Sequence, residues 1–148
     1  DLMVKEGSLP LMKEIHIFID LCATGTKQER NDKINRLIQG VYSIAMFMIE
    51  SGIPQAYIWY DKVNGVIQEY SVEQEEELYW MFQELFRSKT TTEESELMEA
   101  YVDWGKGRLL ESALYLTVAD HESLDSGNLV RDRLEVMDLR GDVIEDQE

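Results

Sequence analysis

The stretch Ile15-His16-Ile17-Phe18-Ile19-Asp20 decides the fold of this 148-residue chain. It is β-branched and aromatic, and it is apolar on both faces except for His16, which is typical of a strand buried on both sides in the middle of a sheet. The strand ends on the carboxylate of Asp20, and a loop of small residues follows. Central strands of this kind belong to α/β proteins, in which helices cover the faces of a parallel sheet.

A long helix is predicted after this strand. The apolar residues between positions 34 and 49 recur at three- and four-residue steps, which indicates a wide apolar stripe on a helix. Asn31 or Asp32 is the expected cap at its start, and Gly52 is expected to end it. At 1.5 Å per residue such a helix is roughly 30 Å long, enough to cross a whole sheet.

Strand and helix patterns continue along the rest of the chain. The further predicted elements are a hairpin of strands at 55–61 and 66–70 joined by Asn64-Gly65, helices at about 71–86 and 93–103, a strand at 112–118 and an edge strand at 133–139. This order predicts a three-layer α/β sandwich with a mostly parallel central sheet, one antiparallel strand from the hairpin and helices on both faces.

Length and charge limit the number of domains and the kinds of partner that the chain can have. The length predicts a single domain over residues 1–148, with an acidic tail at 142–148. The chain has 30 Asp and Glu against 14 Lys and Arg, for a net charge of −16. This charge argues against nucleic acid and against an anionic membrane surface as partners. The hydrophobic content of 44% nevertheless favours a folded protein.

Cysteine usage and hydropathy suggest a compartment. Cys22 is the single cysteine, so an internal disulfide is excluded and a reducing, cytoplasmic compartment is favoured. No apolar run reaches the roughly 18 residues needed to cross a bilayer, so direct membrane insertion by this fragment is not expected. Because the chain begins at Asp1 without a methionine, we expect a piece of a longer protein, and a membrane anchor elsewhere in that protein stays open.

Several other residues are predicted to be structural. Cys22 is expected to be a small buried residue rather than a nucleophile, because such a nucleophile needs an adjacent base and His16 is expected to point into the core. Trp59, Trp80 and Trp104 are expected to fill the core together with the seven methionines.

One candidate site follows from the strand ends. Ligands of open α/β sheets bind beyond the carboxyl ends of the strands. There we expect a set of five residues to gather: Asp20, Cys22, Thr24, Asp61 and Asp120. An oxygen-lined crevice of this kind suits a hard cation such as Mg²⁺.

The first motif resembles a known family. Asp20-Leu21-Cys22-Ala23-Thr24, at the end of an apolar strand and before a long helix, is similar to the Asp-x-Ser-x-Ser start of a von Willebrand factor A-like (vWA-like) domain. The similarity is to bacterial vWA-like proteins of unknown function that are often encoded beside MoxR-type ATPases. It covers the element order from Ile15 to Asp120, including the threonine-rich loop Thr90–Thr92.

The resemblance implies a set of metal ligands. Carried over residue by residue, they are Asp20, Thr24 and, in the later loop, Thr91. Cys22 replaces a usual serine ligand, and a thiol is a weak ligand for Mg²⁺. The sequence 117–119 reads Thr-Val-Ala where the family has Thr-Asp-Gly. The metal motif is therefore expected to be degenerate, with no cofactor bound, and Mg²⁺ is the ion that a working motif would hold.

Two functions from different classes remain open. Because vWA-like domains mostly act as protein-interaction modules, the resemblance implies a non-catalytic interaction or scaffold domain whose partner is another protein, such as a MoxR-type ATPase. The alternative is a Mg²⁺-dependent phosphatase or nuclease that uses Asp20, Asp61 and Asp120. The net charge of −16 repels the anionic substrate that this alternative requires.

Overall fold

The computed structural model describes residues 14–93, 96–105, 113–119 and 134–140. Its elements, in chain order, are β1 (Ile15–Ile19), α1 (Lys27–Glu50), β2 (Gln55–Asp61), β3 (Val66–Val72), α2 (Glu75–Arg87), α3 (Leu97–Gly105), β4 (Ala113–Thr117) and β5 (Leu134–Asp138). Among these residues no helix is both long enough and apolar enough to cross a membrane. The predicted acidic tail at 142–148 lies outside the described residues.

The described strands form a single sheet in the order β3-β2-β1-β4-β5. β1 pairs in parallel with β2 and β4, β4 pairs in parallel with β5, and β2 pairs with β3 in the antiparallel sense. The antiparallel pair is the hairpin expected from Asn64-Gly65, and Gly65 adopts the positive φ of 69° that this turn requires. The prediction of a mixed α/β fold with a mostly parallel sheet is confirmed.

β1 lies in the middle of the sheet, as its apolar sequence predicts. Ile17, Phe18 and Ile19 have no exposed surface. Successive side chains of a strand point to opposite faces of the sheet. Ile17 and Ile19 accordingly belong to one apolar cluster and Phe18 to a second one.

The helices complete these two clusters. α1 and α2 contribute most of the helical residues of the first cluster: Leu37, Val41, Ala45, Met48, Leu78, Met81, Phe82 and Leu85. α3 contributes Leu97, Met98 and Tyr101 to the second cluster. The Tyr101 ring meets the Phe18 ring edge to face at a centroid distance of 4.9 Å, a favourable arrangement for two aromatic rings.

The predicted start of the long helix is wrong. α1 begins at Lys27, before the expected caps Asn31 and Asp32, because Thr26 and Glu29 form a capping box. The Thr26 hydroxyl accepts a hydrogen bond from the Glu29 amide at 3.1 Å, and the Glu29 carboxylate accepts one from the Thr26 amide at 2.8 Å. These bonds satisfy amides at the helix start that would otherwise have no partner.

Two of the three tryptophans do not fill the core. Trp59 is fully buried, and its indole N–H donates to the Ser88 hydroxyl at 2.8 Å. Trp80 and Trp104 are 58% and 43% exposed, so the prediction is wrong for both. Trp80 follows the buried Leu78 by two positions, and residues two apart on a helix do not share a face.

The packing of α1 leads to a stability prediction. Leu37→Ala removes a fully buried side chain between helix and sheet, so we expect the free energy of unfolding to fall by about 2–5 kcal/mol in urea denaturation. Phe47→Ala is the matched control on the same helix, because Phe47 is 64% exposed, and we expect a change of about 0.5 kcal/mol or less. Equal effects of the two substitutions would contradict this packing.

Candidate functional site

The carboxyl ends of β1 and β4 mark the switch point of the sheet. From β1 the chain continues to β2 and β3 on one side, and it later crosses to β4 and β5 on the other side. In open α/β sheets the crevice at such a point is the usual ligand site. Asp20 directly follows β1 and Thr117 ends β4, so both lie at this crevice.

The Asp20 carboxylate is buried and held by protein groups. Its side chain is only 3% exposed. One carboxylate oxygen accepts a hydrogen bond from the Cys22 amide at 3.2 Å, and the other accepts one from the Thr117 hydroxyl at 3.0 Å. The Thr117 hydroxyl oxygen in turn accepts from the Ala119 amide at 3.0 Å. This chain of hydrogen bonds ties the loop after β1 to the end of β4.

The threonine-rich loop lies against the first motif. Cys22 and Thr91 form a parallel bridge, in which the Ala23 amide donates to the Thr91 carbonyl and the Thr91 amide donates to the Leu21 carbonyl, each at 2.9 Å. The Cys22 thiol donates to the Glu93 carbonyl at 2.9 Å and is 4% exposed. The burial predicted for Cys22 is confirmed.

The predicted metal ligands are only partly brought together. Asp20 and Thr91 line the same cleft, whereas Thr24 is exposed and is not among the described residues that line it. The Thr24 carbonyl accepts a hydrogen bond from the Lys33 ammonium at 3.0 Å. The Thr91 hydroxyl oxygen accepts one from the Glu93 amide at 3.1 Å, so it already has a protein donor.

The cleft is small and its charges are balanced. It offers about 20 Å³ to a water-sized molecule, which is room for a single water. Its lining residues are Ile19, Asp20, Leu21, Tyr60, Lys62, Lys89, Thr91, Glu96 and Leu97. The described residues of this lining carry two carboxylates and two ammonium groups, so together they add no net negative charge that would attract a divalent cation.

An ion pair closes one side of the cleft. The Lys62 ammonium contacts the Glu93 carboxylate and lies 3.9 Å from a Glu96 oxygen. The hydrogen bond that the Lys62 ammonium donates to the Glu93 carboxylate raises the pKa of Lys62 and lowers the pKa of Glu93. Both groups are therefore charged at neutral pH. Lys62 directly follows β2, so its ion pair with Glu93 connects the end of β2 to the loop that carries Thr91.

Asp61 is used by the turn between β2 and β3. One of its carboxylate oxygens accepts hydrogen bonds from the Val63 amide at 3.1 Å and the Asn64 amide at 3.3 Å, and the other accepts from the Asn64 side chain at 2.7 Å. The sequence Asp-Lys-Val-Asn-Gly carries the signal for this role, because an aspartate at the start of a turn commonly caps it. Asp120, the third carboxylate of the hydrolase alternative, lies outside the described residues.

Sequence reasoning missed two groups at this site, the Thr117 hydroxyl and the Lys62 ammonium. The position of Thr117 beside Asp20 depends on the pairing of β1 with β4, since these strands are far apart in the chain. A signal for Thr117 existed, because a hydroxyl at the end of a buried strand requires a hydrogen-bond partner.

Comparison with known proteins found no counterpart: no protein-family model, curated protein or solved structure matches this chain.

The Asp20–Thr117 hydrogen bond leads to a second stability prediction. Thr117→Val keeps the shape of the side chain but removes the donor to the buried carboxylate, so we expect about 1–3 kcal/mol less stability in urea denaturation. Thr117→Ser is the matched control because it keeps the hydroxyl. If Val and Ser cost the same, the hydrogen bond does not hold this end of the sheet together.

Proposed function

We propose that this chain is a non-catalytic protein-interaction or scaffold domain of vWA-like type, with a degenerate metal-ion-dependent adhesion motif at Asp20. The observation that carries the proposal is the bonding of Asp20. Its buried carboxylate accepts hydrogen bonds from the Cys22 amide and the Thr117 hydroxyl. These hydrogen bonds give both carboxylate oxygens a partner within the protein, and Cys22 supplies a thiol where a working motif has a hydroxyl ligand.

The arrangement of the elements supports a vWA-like fold. The proposed architecture is a three-layer sandwich, with α1 and α2 on one face of the sheet and α3 on the other. Its support is the division of the core, because the first apolar cluster contains Ile17 and residues of α1 and α2, whereas the second contains Phe18 and residues of α3. The bridge between Cys22 and Thr91 brings together the two loops that the resemblance relates to each other.

The chemistry of the motif supports a domain that acts without metal. Cys22 places a thiol where a hydroxyl oxygen is usual, and this thiol donates to the Glu93 carbonyl. Hard cations prefer oxygen ligands. Lys89 lines the same cleft as Asp20, and its positive charge opposes the approach of a divalent ion, whereas the charge of Lys62 is offset by Glu93.

The surface supports a protein partner. Tyr42, Phe82 and Phe86 form a stacked aromatic patch on α1 and α2, with Tyr42 stacked on Phe82 and Phe82 stacked on Phe86. Phe82 is buried, whereas Tyr42 is 43% exposed and Phe86 is 63% exposed. Exposed aromatic side chains are enriched in protein interfaces. We propose a MoxR-type ATPase in the cytoplasm as the partner, and the net charge of −16 disfavours nucleic acid in this role.

The metal-free motif is tested by calorimetric titration of the wild type and Asp20→Ala with Mg²⁺ and Mn²⁺. We expect no binding that depends on Asp20, because Cys22 replaces a hydroxyl ligand and Thr24 is not among the described residues that line the cleft. Saturable binding at roughly millimolar concentration or below, lost in Asp20→Ala, would contradict the degenerate motif and would revive both metal-dependent adhesion and the hydrolase.

The interaction role is tested by measuring the affinity of the chain for a MoxR-type ATPase, the proposed partner. Replacing Phe86 by Ala removes an exposed aromatic from the patch, and we expect the affinity to fall by at least about thirtyfold, because such an anchor carries about 2 kcal/mol or more. Phe47→Ala is the control, since Phe47 is equally exposed but belongs to no stacked pair of the patch. An ATPase that does not bind the wild type would overturn this choice of partner.

A further inference from the structure

Three side chains with metal-binding atoms converge near the start of β1. Glu14 precedes the strand, His16 lies within it, and Glu69 lies in β3. One carboxylate oxygen from each glutamate and one imidazole nitrogen lie within 4.8 Å of one another. Each of the three residues is partly exposed, so solvent ions can reach the cluster. It is separate from Asp20, which follows the other end of the same strand.

The register of three strands explains this convergence. His16 pairs with Ala56, which pairs with Ser71, so β2 lies between the two strands that carry the cluster. Strands two positions apart in a sheet are separated by roughly 10 Å, too far for small side chains to meet. The methyl group of Ala56 leaves room for the longer side chains of Glu14, His16 and Glu69 to meet above it.

The same face of the sheet carries all of these side chains. Glu14 and His16 are two residues apart and therefore point to one face. Ser71 and Glu69 also point to that face, because their partners are Ala56 and Ile58 and directly opposed residues share a face. The Ser71 hydroxyl donates to a Glu14 carboxylate oxygen at 2.9 Å. This hydrogen bond orients one of the two carboxylates.

We propose that Glu14, His16 and Glu69 form a binding site for a divalent transition-metal ion, with Zn²⁺ the ion that fits best. One imidazole nitrogen and two carboxylate oxygens are a donor set that Zn²⁺ accepts. Zinc binds these atoms at about 2.0–2.2 Å, so its ligand atoms lie at most about 4 Å apart. Side-chain rotation that draws the three atoms together by less than about 1 Å completes the geometry.

The site has a physical consequence for the sheet. An ion held by β1 and β3 links two strands that are not neighbours, and three protein ligands leave the fourth position of a tetrahedral ion to water. The ion would stabilise the native chain by mass action, since the unfolded chain does not hold the three ligands together. This role is independent of the adhesion motif and of the proposed protein partner.

The test is calorimetric titration of the metal-free chain with Zn²⁺. We expect saturable binding of one ion per chain. His16→Gln and Glu69→Gln should each weaken zinc binding by at least about tenfold. Loss of a group that only orients a metal ligand already lowers metal affinity by about tenfold or more, and these two residues are themselves ligands. Ser71→Ala should also weaken zinc binding, because Ser71 orients Glu14. Glu73→Gln is the matched control for Glu69→Gln, since Glu73 is an exposed glutamate outside the cluster.

The outcomes separate this site from the alternatives. Binding that survives in Asp20→Ala and is lost in His16→Gln supports the site and leaves the degenerate motif intact. Equal weakening of zinc binding by Glu69→Gln and Glu73→Gln would mean that zinc binds to acidic surface groups without a specific site, and it would overturn the proposal. The absence of binding would also overturn it. Because Glu69 lies on the strand at one end of the described sheet, its variant tests the site even if His16→Gln fails to fold.

Discussion

The burial of β1 is the constraint on which the rest of the structure depends. Its side chains Ile17–Ile19 have no exposed surface, and β2 and β4 are hydrogen-bonded to its two edges. A polar group buried without a partner in such a strand costs roughly 2–7 kcal/mol. Polar side chains therefore lie at the ends of the strand, with Glu14 and His16 at its start and Asp20 after its last residue. Both candidate sites of the domain follow from this distribution.

The groups around Asp20 explain why this end of β1 is structural. A carboxylate that is almost fully buried needs hydrogen-bond donors, and the Cys22 amide and the Thr117 hydroxyl supply them. The same bonds hold the loop after β1 against β4. The Cys22–Thr91 bridge holds that loop against the threonine-rich loop that follows α2. Asp20 therefore has a structural role that needs no metal ion, and Cys22 replaces a hydroxyl ligand beside it. These two features are the physical basis for proposing an interaction domain rather than a hydrolase.

Local patterns predicted the strands better than they predicted the partners of each side chain. β1 and the hairpin follow from apolar runs and from Asn64-Gly65, which act over a few residues. The predicted start of α1 was wrong because the apolar stripe begins well after the true cap, Thr26. The later polar residues Asn31 and Asp32 are equally common as caps, so the sequence did not distinguish them from Thr26. Trp80 was wrongly predicted to lie in the core, because its residue type alone does not show which face of the helix it occupies. The bond from Thr117 to Asp20 depends on the pairing of distant strands, which no local pattern specifies.

The two polar ends of β1 offer a cation different surroundings. In the cleft beside Asp20, Lys62 and Lys89 offset the carboxylates, so a divalent ion gains little from binding there. At the start of the strand, two carboxylates lie beside an imidazole, and their combined charge matches that of a divalent ion. Glu14, His16 and Glu69 share a face of the sheet with Phe18 and Ile58. The aromatic patch lies on α1 and α2, whose buried residues belong to the apolar cluster of Ile17. Metal binding and partner binding would therefore use separate surfaces, and a variant that abolishes one need not impair the other.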